Sequence, residues 1–263
     1  MSDSIERFLK SMSENGFSPN TIRAYKSDLV LFRTTYPNFH ESQLTLMESL
    51  AKDWLQTHRD TWTPRTMKRK ASALRAWARF MGDPKFLAEY RLPKPPRPVP
   101  HPVAEGVDGV LDMIVESKTP HHRALIALCG LGGLRVHEAL AMTRDDIDWN
   151  EGTMLVRGKG SKQRIVPMSP LLQSFIRPAA ATPGPLVPLS DRAARAFITR
   201  CARRAGMANP VASHDLRSTF LTAAYDKTKD LRAVQELAGH ASSETTESYT
   251  RISMDAMRAA AAI

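Results

Sequence analysis

The chain has 263 residues, of which 42% are hydrophobic and 24% charged, a composition typical of a globular protein with its own core. A net charge of +10 and a pI near 9.9 favour a polyanionic partner, most often nucleic acid, although a merely basic protein has the same charge. The chain has two cysteines, Cys129 and Cys201, far apart in the sequence, which argues against a disulfide scaffold and fits a reducing compartment.

The sequence predicts neither secretion nor membrane insertion. The N-terminal residues have no basic segment followed by an apolar one, as a secretion signal would. The longest apolar stretch, 124–134, is too short and too rich in glycine to cross a bilayer. We therefore expect a cytoplasmic protein without a membrane partner.

Residues 1–92 predict a helical domain. Ser18-Pro19 and Thr63-Pro64 each place a hydroxyl cap before a proline suited to a first helical turn, so we expect helices to begin there. The helix of about 64–81 has an apolar face and an opposite basic face. The apolar face holds Met67, Ala71, Leu74, Ala78 and Met81, and the basic face holds Arg65, Lys68, Arg69, Arg75 and Arg79.

The basic face of this helix admits two interpretations. A run of charges is usually a solvated surface. An ordinary solvated face mixes the two signs, however, and no acid occurs in this stretch before Asp83. Because charge of one sign is what neutralises a row of phosphates, we favour DNA contact through these five side chains.

Residues 93–102 predict a linker. Six of these ten residues are proline, which cannot hydrogen-bond into a helix or a central strand, so the segment should be extended and semi-rigid. It separates the helical domain of 1–92 from a larger domain of 103–263.

The larger domain mixes helices with a small β-hairpin. Residues 120–142 predict two helices separated by the glycines at 130, 132 and 133. Short β-like runs at 153–157 and 164–168 flank Gly158-Lys159-Gly160-Ser161, which predicts a hairpin. A proline-broken loop follows at 182–188, and further helices are expected at 191–205, 214–228, 231–238 and 254–262.

Three motifs that are typical of cofactor or metal sites are incomplete in this sequence. The glycine run 130–133 breaks the dinucleotide-binding spacing because position 135 is arginine. Gly158-Lys159 lacks the first P-loop glycine, and His137-Glu138 lacks a second zinc ligand because position 141 is alanine. We therefore predict no metal and no cofactor.

What remains is an ordered series of cations that ends in a tyrosine. Arg135 lies in Gly-Leu-Arg-Val-His-Glu, Lys159 in Gly-Lys-Gly-Ser-Lys, His214 and Arg217 in His-Asp-Leu-Arg, His240 in Ala-Gly-His, and Tyr249 in Ser-Tyr-Thr-Arg. This series resembles the catalytic domain of tyrosine recombinases, the phage integrase family, whose signature is Arg, Lys, His-x-x-Arg, His and Tyr in that order. Any one of these motifs is weak, but all six positions in order are a strong signal.

The resemblance covers residues 103–263, and the basic helical residues 1–92 resemble the family's core-binding domain. It implies a mainly α fold with a small β-sheet or hairpin in the C-terminal domain, that is, a helical core-binding domain followed by an α+β catalytic domain. It also implies a site-specific recombinase that cleaves and rejoins double-stranded DNA, as a nucleoid-associated cytoplasmic enzyme.

The resemblance assigns the central chemistry to three residues. Tyr249 is the nucleophile, because a tyrosine oxygen can form a 3′-phosphotyrosine and later leave it, which conserves the energy of the broken bond. Arg135 and Arg217 bind the non-bridging oxygens of the phosphate, where negative charge builds up in the transition state. The alternative interpretation of Arg135 and Arg217 is that they are surface arginines in salt bridges.

The remaining assignments concern proton transfer and support. Lys159 is the general acid for the departing 5′ oxygen, with Lys162 as a nearby competitor. His214 takes up or relays the tyrosine proton, and His240 hydrogen-bonds the scissile phosphate. Glu138 is interpreted as a supporting ion-pair partner and not as a catalytic carboxylate.

Tyr225 is the rival nucleophile in this region. It follows Leu221 at helical core spacing, so we expect it in the core, whereas Tyr249 has polar neighbours that suit an exposed nucleophile. The chain also departs from the family, because Ser218 replaces the second histidine that many members carry; we expect an effect on helix packing only.

The family resemblance implies a homotetramer on two DNA sites, with a C-terminal tail that docks on a neighbouring protomer or on its own core. The resemblance leaves open whether a directionality factor is also a partner. We favour a small integrase of a phage or mobile element, since the chain starts at the core-binding domain. The alternatives are an Xer-type chromosome or plasmid dimer resolvase, a type IB topoisomerase and a non-catalytic DNA-binding relative.

Overall fold

The computed structural model describes residues 3–40, 43–94, 101–158, 163–239, 258 and 261–262. The chain divides into two compact units, Met1–Pro98 and Val99–Ile263, and each has its own hydrophobic core. The division falls within the proline-rich residues 93–102, whose role as a linker stays a prediction. None of the helices in the described ranges is long and apolar enough to cross a membrane.

The first unit is helical in its described residues. Its helices are α1 (Asp3–Glu14), α2 (Pro19–Thr35), α3 (Leu44–Thr57) and α4 (Pro64–Phe80). Two helix starts are confirmed, because the hydroxyls of Ser18 and Thr63 accept hydrogen bonds from the third residues of α2 and α4, each at 3.2 Å. Proline occupies the first helical turn of both.

The core of the first unit is aromatic. Phe32, Trp54 and Trp77 are fully buried, and the predicted apolar face of α4 packs against them. One charge enters this core: the ammonium of Lys70 donates to Asp28 at 2.9 Å and lies 4.6 Å from the ring centroid of Trp62. The carboxylate and the ring together compensate for the loss of water around that ammonium.

The second unit begins with helices and continues into a sheet. Its helices are α5 (Gly106–Glu116), α6 (Pro120–Gly130), α7 (Val136–Ala141), α8 (Pro170–Ile176), α9 (Asp191–Arg204), α10 (Ser213–Thr228) and α11 (Leu231–Ala238). Short 3-10 turns lie at Arg144–Asp146 and Ala179–Ala181. Helix α6 is buried along most of its length and forms the centre of this core.

The sheet lies between α7 and α8 in the sequence. Within the described residues its strands are β1 (Ile147–Asp148), β2 (Thr153–Arg157) and β3 (Gln163–Pro167), antiparallel and in that order. The register pairs Met154 with Val166 and Val156 with Arg164. This confirms the predicted hairpin and the fold class, while β1 and α8 were not predicted.

The turn between α6 and α7 depends on Gly133. Its φ is +66°, a conformation that side chains rarely adopt, and a Cβ there would lie 2.4 Å from the ring of Phe220. The chain can therefore pass directly over α10 at this point. The predicted separation of two helices by glycines is confirmed.

The described end of the C-terminal tail contacts its own unit. Ala261 is buried in the second core, and Arg258 forms an ion pair with Glu151 at 3.7 Å. Most of the helix predicted for 254–262 lies outside the described residues.

Candidate active site

The candidate site is built around the carboxylate of Glu138 on α7. Arg135, which precedes α7, donates to it from its backbone nitrogen at 2.9 Å and from Nη1 at 3.0 Å. Arg164 on β3 donates from Nη1 and Nη2 to the two carboxylate oxygens at 3.0 and 2.9 Å. Nη1 of Arg217 on α10 lies 3.9 Å from Oε2. We call these four residues the Glu138 cluster.

The Glu138 carboxylate stays ionised although its side chain is fully buried. Burial alone would raise its pKa, but the hydrogen bonds from Arg164 and Arg135 outweigh that effect and lower the pKa to about 2. Glu138 is thus a fixed negative charge that holds guanidinium groups in place. The geometry agrees with the predicted supporting role.

Arg217 is the most deeply buried cation of the cluster. Its side chain is 1% exposed, and its two terminal nitrogens donate to the carbonyl oxygens of Gly133 and Ala238, each at 2.5 Å. Burial and the nearby charge of Arg135 lower its pKa to about 10. Even so, the guanidinium is charged at neutral pH.

Three arginines meet at the C-terminal end of α11. The carbonyl of Ala238 accepts from Arg217 and, at 3.4 Å, from Arg135, while the carbonyl of Leu237 accepts from Arg164 at 3.1 Å. A helix end presents unpaired carbonyls with partial negative charge, so cations gather there. The predicted Arg135 and Arg217 are thereby brought to one place, and Arg135 is 34% exposed.

His214 lies in the first turn of α10 and is exposed. It precedes the buried Arg217 by three residues on the same helix. The turn is fixed from two sides: Asp215 accepts from the backbone nitrogen of Ala212 at 2.7 Å, and Arg195 donates to the hydroxyl of Ser213 at 3.1 Å. Ser218, which replaces the family's second histidine, is buried.

Lys159, its competitor Lys162, His240 and Tyr249 lie outside the described residues, and their roles stay predictions. Arg164 is the residue that sequence reasoning did not select. Its signal was the run Arg164-Ile165-Val166-Pro167, which matches the family and served only to favour Lys159. Its partners come from distant segments.

The expectation for Tyr225 is wrong. Tyr225 is 41% exposed on α10, and the ammonium of Lys229 lies 5.5 Å from its ring centroid. The buried face of this helix runs through Leu216, Phe220 and Ala224, and Leu221 is only half-buried. Leu221 lies at the edge of the buried face of α10, so a residue spaced from it by one helical turn does not have to be in the core.

The basic face of α4 divides into two groups. Arg65, Lys68 and Arg79 are exposed, as is Arg69, whereas Arg75 is half-buried. Arg69 pairs with Asp28, and Arg75 donates to the carbonyl oxygens of Leu87 and Tyr90 at 2.7 and 3.2 Å. These two arginines therefore have contacts within the first unit.

Neither cysteine has the surroundings of a reactive thiol. Both are buried, and burial raises the pKa of Cys129 to about 12. Among the described residues, no group of three or more His, Cys, Asp or Glu side chains is placed to hold a metal ion.

Two family models match the chain. The phage integrase family matches residues 107–255, and the phage integrase N-terminal SAM-like domain matches residues 5–83. Together they cover both units.

Full-length relatives have similar sequences. Tyrosine recombinase XerD of Pseudomonas putida is 31% identical over 94% of this chain and 92% of that protein. Tyrosine recombinase XerA of Thermococcus kodakarensis is 29% identical over 97% of this chain and 93% of that protein.

Solved structures have the same fold. The integrase of mycobacterium phage Brujita is 26% identical, with a TM-score of 0.53 over 98% of this chain and 91% of that one. A lambda integrase fragment in a dimer bound to a core site has a TM-score of 0.69 at 18% identity, over 95% and 98% of the two chains. The fold, the family models and the full-length relatives agree, so the chain belongs to the phage integrase family and is a tyrosine-type site-specific DNA recombinase.

Proposed function

We propose that this recombinase cleaves and rejoins DNA through a 3′-phosphotyrosine on Tyr249, with Arg135 and Arg217 binding the scissile phosphate. The observation that carries the proposal is the convergence of these two arginines at the end of α11, with Arg135 oriented by a buried carboxylate. Two guanidinium groups at one point suit a phosphate whose charge increases during attack.

The proposed reaction conserves one phosphodiester bond. The Tyr249 oxygen attacks phosphorus, the bond to the 5′ oxygen breaks, and that oxygen takes a proton and leaves as a hydroxyl. Attack by a 5′ hydroxyl from a second DNA strand then releases the tyrosine. Neither step consumes a nucleotide cofactor.

We assign the proton transfers to three further residues. Lys159 protonates the departing 5′ oxygen, His214 takes up the tyrosine proton, and His240 donates a hydrogen bond to the phosphate. The exposure of His214 on the first turn of α10 supports its access to a substrate.

The first unit contributes binding to the DNA backbone. The exposed cations Arg65, Lys68 and Arg79 on α4 bind phosphates. Arg69 and Arg75 belong to the same predicted face, and their contacts within the unit make them supports of that surface.

The assembly is a homotetramer on two core sites of double-stranded DNA. The tail end at Arg258 and Ala261 contacts its own unit. Docking of the tail on a neighbouring protomer is the alternative in the tetramer. A directionality factor would set the balance between joining and excision.

The favoured role is integration and excision of a phage or mobile element, which the likeness to the Brujita phage integrase supports. The second candidate is an Xer-type dimer resolvase, which the identity to XerD and XerA proteins supports. Sequencing the DNA that the protein protects beside its own gene separates the two: attachment sites at the border of an element support the first.

A suicide substrate tests the chemistry. It carries a nick near the cleavage position, so that the short 5′ end diffuses away and the covalent complex accumulates. We expect wild type to form a protein–DNA adduct that survives denaturation, and Tyr249→Phe to form none. The absence of an adduct with wild type, or an equal yield with Tyr249→Phe, would contradict the proposal.

A further inference from the structure

Arg164 has contacts that the six signature positions do not explain. It lies on β3, where it pairs with Val156 of β2, and its guanidinium reaches two other segments. Nη1 and Nη2 donate to Glu138, and Nε donates to the carbonyl of Leu237 at 3.1 Å. We propose that Arg164 is a positioning residue for DNA cleavage, which holds strand β3, the Arg135–Glu138 pair and the end of α11 in one arrangement.

Arg164 acts through these partners and not by touching DNA. Its side chain is 15% exposed, and all three of its nitrogens donate to acceptors within the protein. Arg217, which we propose to bind the phosphate, is more deeply buried but donates to carbonyl oxygens from its two terminal nitrogens. Arg135, by contrast, is 34% exposed and uses one terminal nitrogen. The two guanidinium groups that bind Glu138 therefore differ in exposure: Arg135 is partly exposed to solvent, whereas Arg164 is mostly buried.

The segments that Arg164 joins each lead to a signature residue. Glu138 orients Arg135 directly. Strand β3 follows the hairpin residues that include Lys159, and α11 is followed at once by Gly239 and His240. The Arg164 side chain thus connects β3, α7 and α11. Each of these elements is adjacent in the sequence to a signature residue that we propose to act on the same phosphate. The inference rests on the proposed function, since positioning has meaning only for residues that take part in cleavage.

The path of the chain after α11 supports the same conclusion. Gly239 has a φ of +56°, and a Cβ there would lie 2.9 Å from Cδ of Arg164. The backbone therefore passes directly over the Arg164 side chain as it leaves α11. Because glycine has no Cβ to occupy this space, the end of α11 can pack directly on the Arg164 side chain.

A lysine at this position would keep the charge and lose the geometry. A guanidinium spans two carboxylate oxygens and a carbonyl from one rigid plane, whereas an ammonium is a single point on a flexible stem. Arg164→Lys and Arg164→Gln therefore both break the three-way connection.

The test measures DNA binding, single-turnover cleavage of the suicide substrate and melting temperature for the full chain. We expect Arg164→Lys and Arg164→Gln to slow cleavage about 100-fold, because small misplacements of reacting groups have effects of that size. Binding should stay within about threefold of wild type. In a double-mutant cycle the losses of Arg164→Gln and Glu138→Gln should not add, since both break the same connection.

Val166→Ala is the matched control. Val166 is fully buried two residues further along β3 and its side chain is apolar, so its truncation lowers the melting temperature without removing a hydrogen bond of the Glu138 cluster. We expect this variant to cleave at close to the wild-type rate once it is assayed below its melting temperature.

Three results would overturn the inference while the proposed function stands: near-wild-type cleavage by Arg164→Gln, a loss of DNA affinity as large as the loss of rate, or an equal loss of rate in Val166→Ala. A wild-type chain that forms no covalent adduct contradicts the proposed function, and this inference with it.

Discussion

Arg217 donates to the carbonyl oxygen of Ala238 at 2.5 Å while its side chain is 1% exposed. The same guanidinium donates to the carbonyl of Gly133, so a single side chain joins the loop before α7 to the end of α11. An arginine in this position stabilises the fold, in addition to the phosphate binding that we propose for it.

Arg217→Lys should destabilise the protein more than Arg135→Lys does. One ammonium cannot reach both carbonyls, and an unpaired buried acceptor costs about 1–3 kcal/mol. Arg135 is partly exposed, so water can replace its lost bonds and the cost should stay below about 1 kcal/mol. Urea unfolding of the two variants measures this difference, and equal losses would contradict it. Both variants should lose most of their cleavage activity.

Glu138→Gln should remove an acid-dependent part of the stability. The ordinary pKa of 4.5 falls to about 2 in the folded protein, where burial raises it and the bonds from Arg164 and Arg135 lower it by more. A lowered folded-state pKa adds stability above the unfolded value, and this contribution is lost as the pH falls from 4.5 towards about 2. The full contribution is about 3 kcal/mol in order of magnitude.

Urea unfolding at a series of pH values checks the Glu138 prediction. Wild type should lose stability steeply in this acid range, and Glu138→Gln should lose measurably less. The difference between their two curves is the quantity of interest, because other carboxylates titrate equally in both. Parallel curves would show that Glu138 is not held ionised by the arginines.

Gly133→Ala should be far more damaging than Gly184→Ala. Both glycines have a positive φ, which costs about 1–2 kcal/mol for alanine. Only at Gly133 would the new Cβ strike a ring, that of Phe220 at 2.4 Å, whereas nothing lies within 4 Å at Gly184. Overpacking adds about 1–3 kcal/mol and displaces the carbonyl that Arg217 binds. Comparable melting temperatures for the two variants would contradict the described turn.

The basic face of α4 should divide by function. Lys68→Ala and Arg79→Ala should each weaken DNA binding and reduce the slope of log affinity against log salt by about 0.9, with little change in stability. Arg75→Ala should instead lower the unfolding free energy by about 1–3 kcal/mol, because two carbonyls lose their donor. Binding titrations at several salt concentrations, beside urea unfolding, distinguish the two effects.

Local signals in the sequence predicted much of the fold. A hydroxyl before a proline marked the starts of α2 and α4, and two β-like runs around a glycine-rich turn marked the hairpin, because each signal acts over a few residues. Strand β1 is two residues long and carries no such signal.

Long-range contacts set the limits of that prediction. A helical wheel placed Arg75 on an open face, but it cannot show that residues 87–90 pass over that arginine. The role of Arg164 arises from contacts with α7 and α11, which lie 26 and 73 residues away in the chain. Tyr225 was misplaced because the buried stripe of α10 follows Phe220 and not Leu221.

The exposure of Tyr225 makes the site of covalent attachment the decisive observation. Two tyrosines in the second unit are rivals, and Tyr225 is not withdrawn into the core as its spacing suggested. The adduct formed on a suicide substrate should be digested with protease and nuclease, and the modified peptide identified by mass spectrometry. We predict that the nucleotide remnant is on Tyr249. A remnant on Tyr225, or on any other residue, would contradict the central claim.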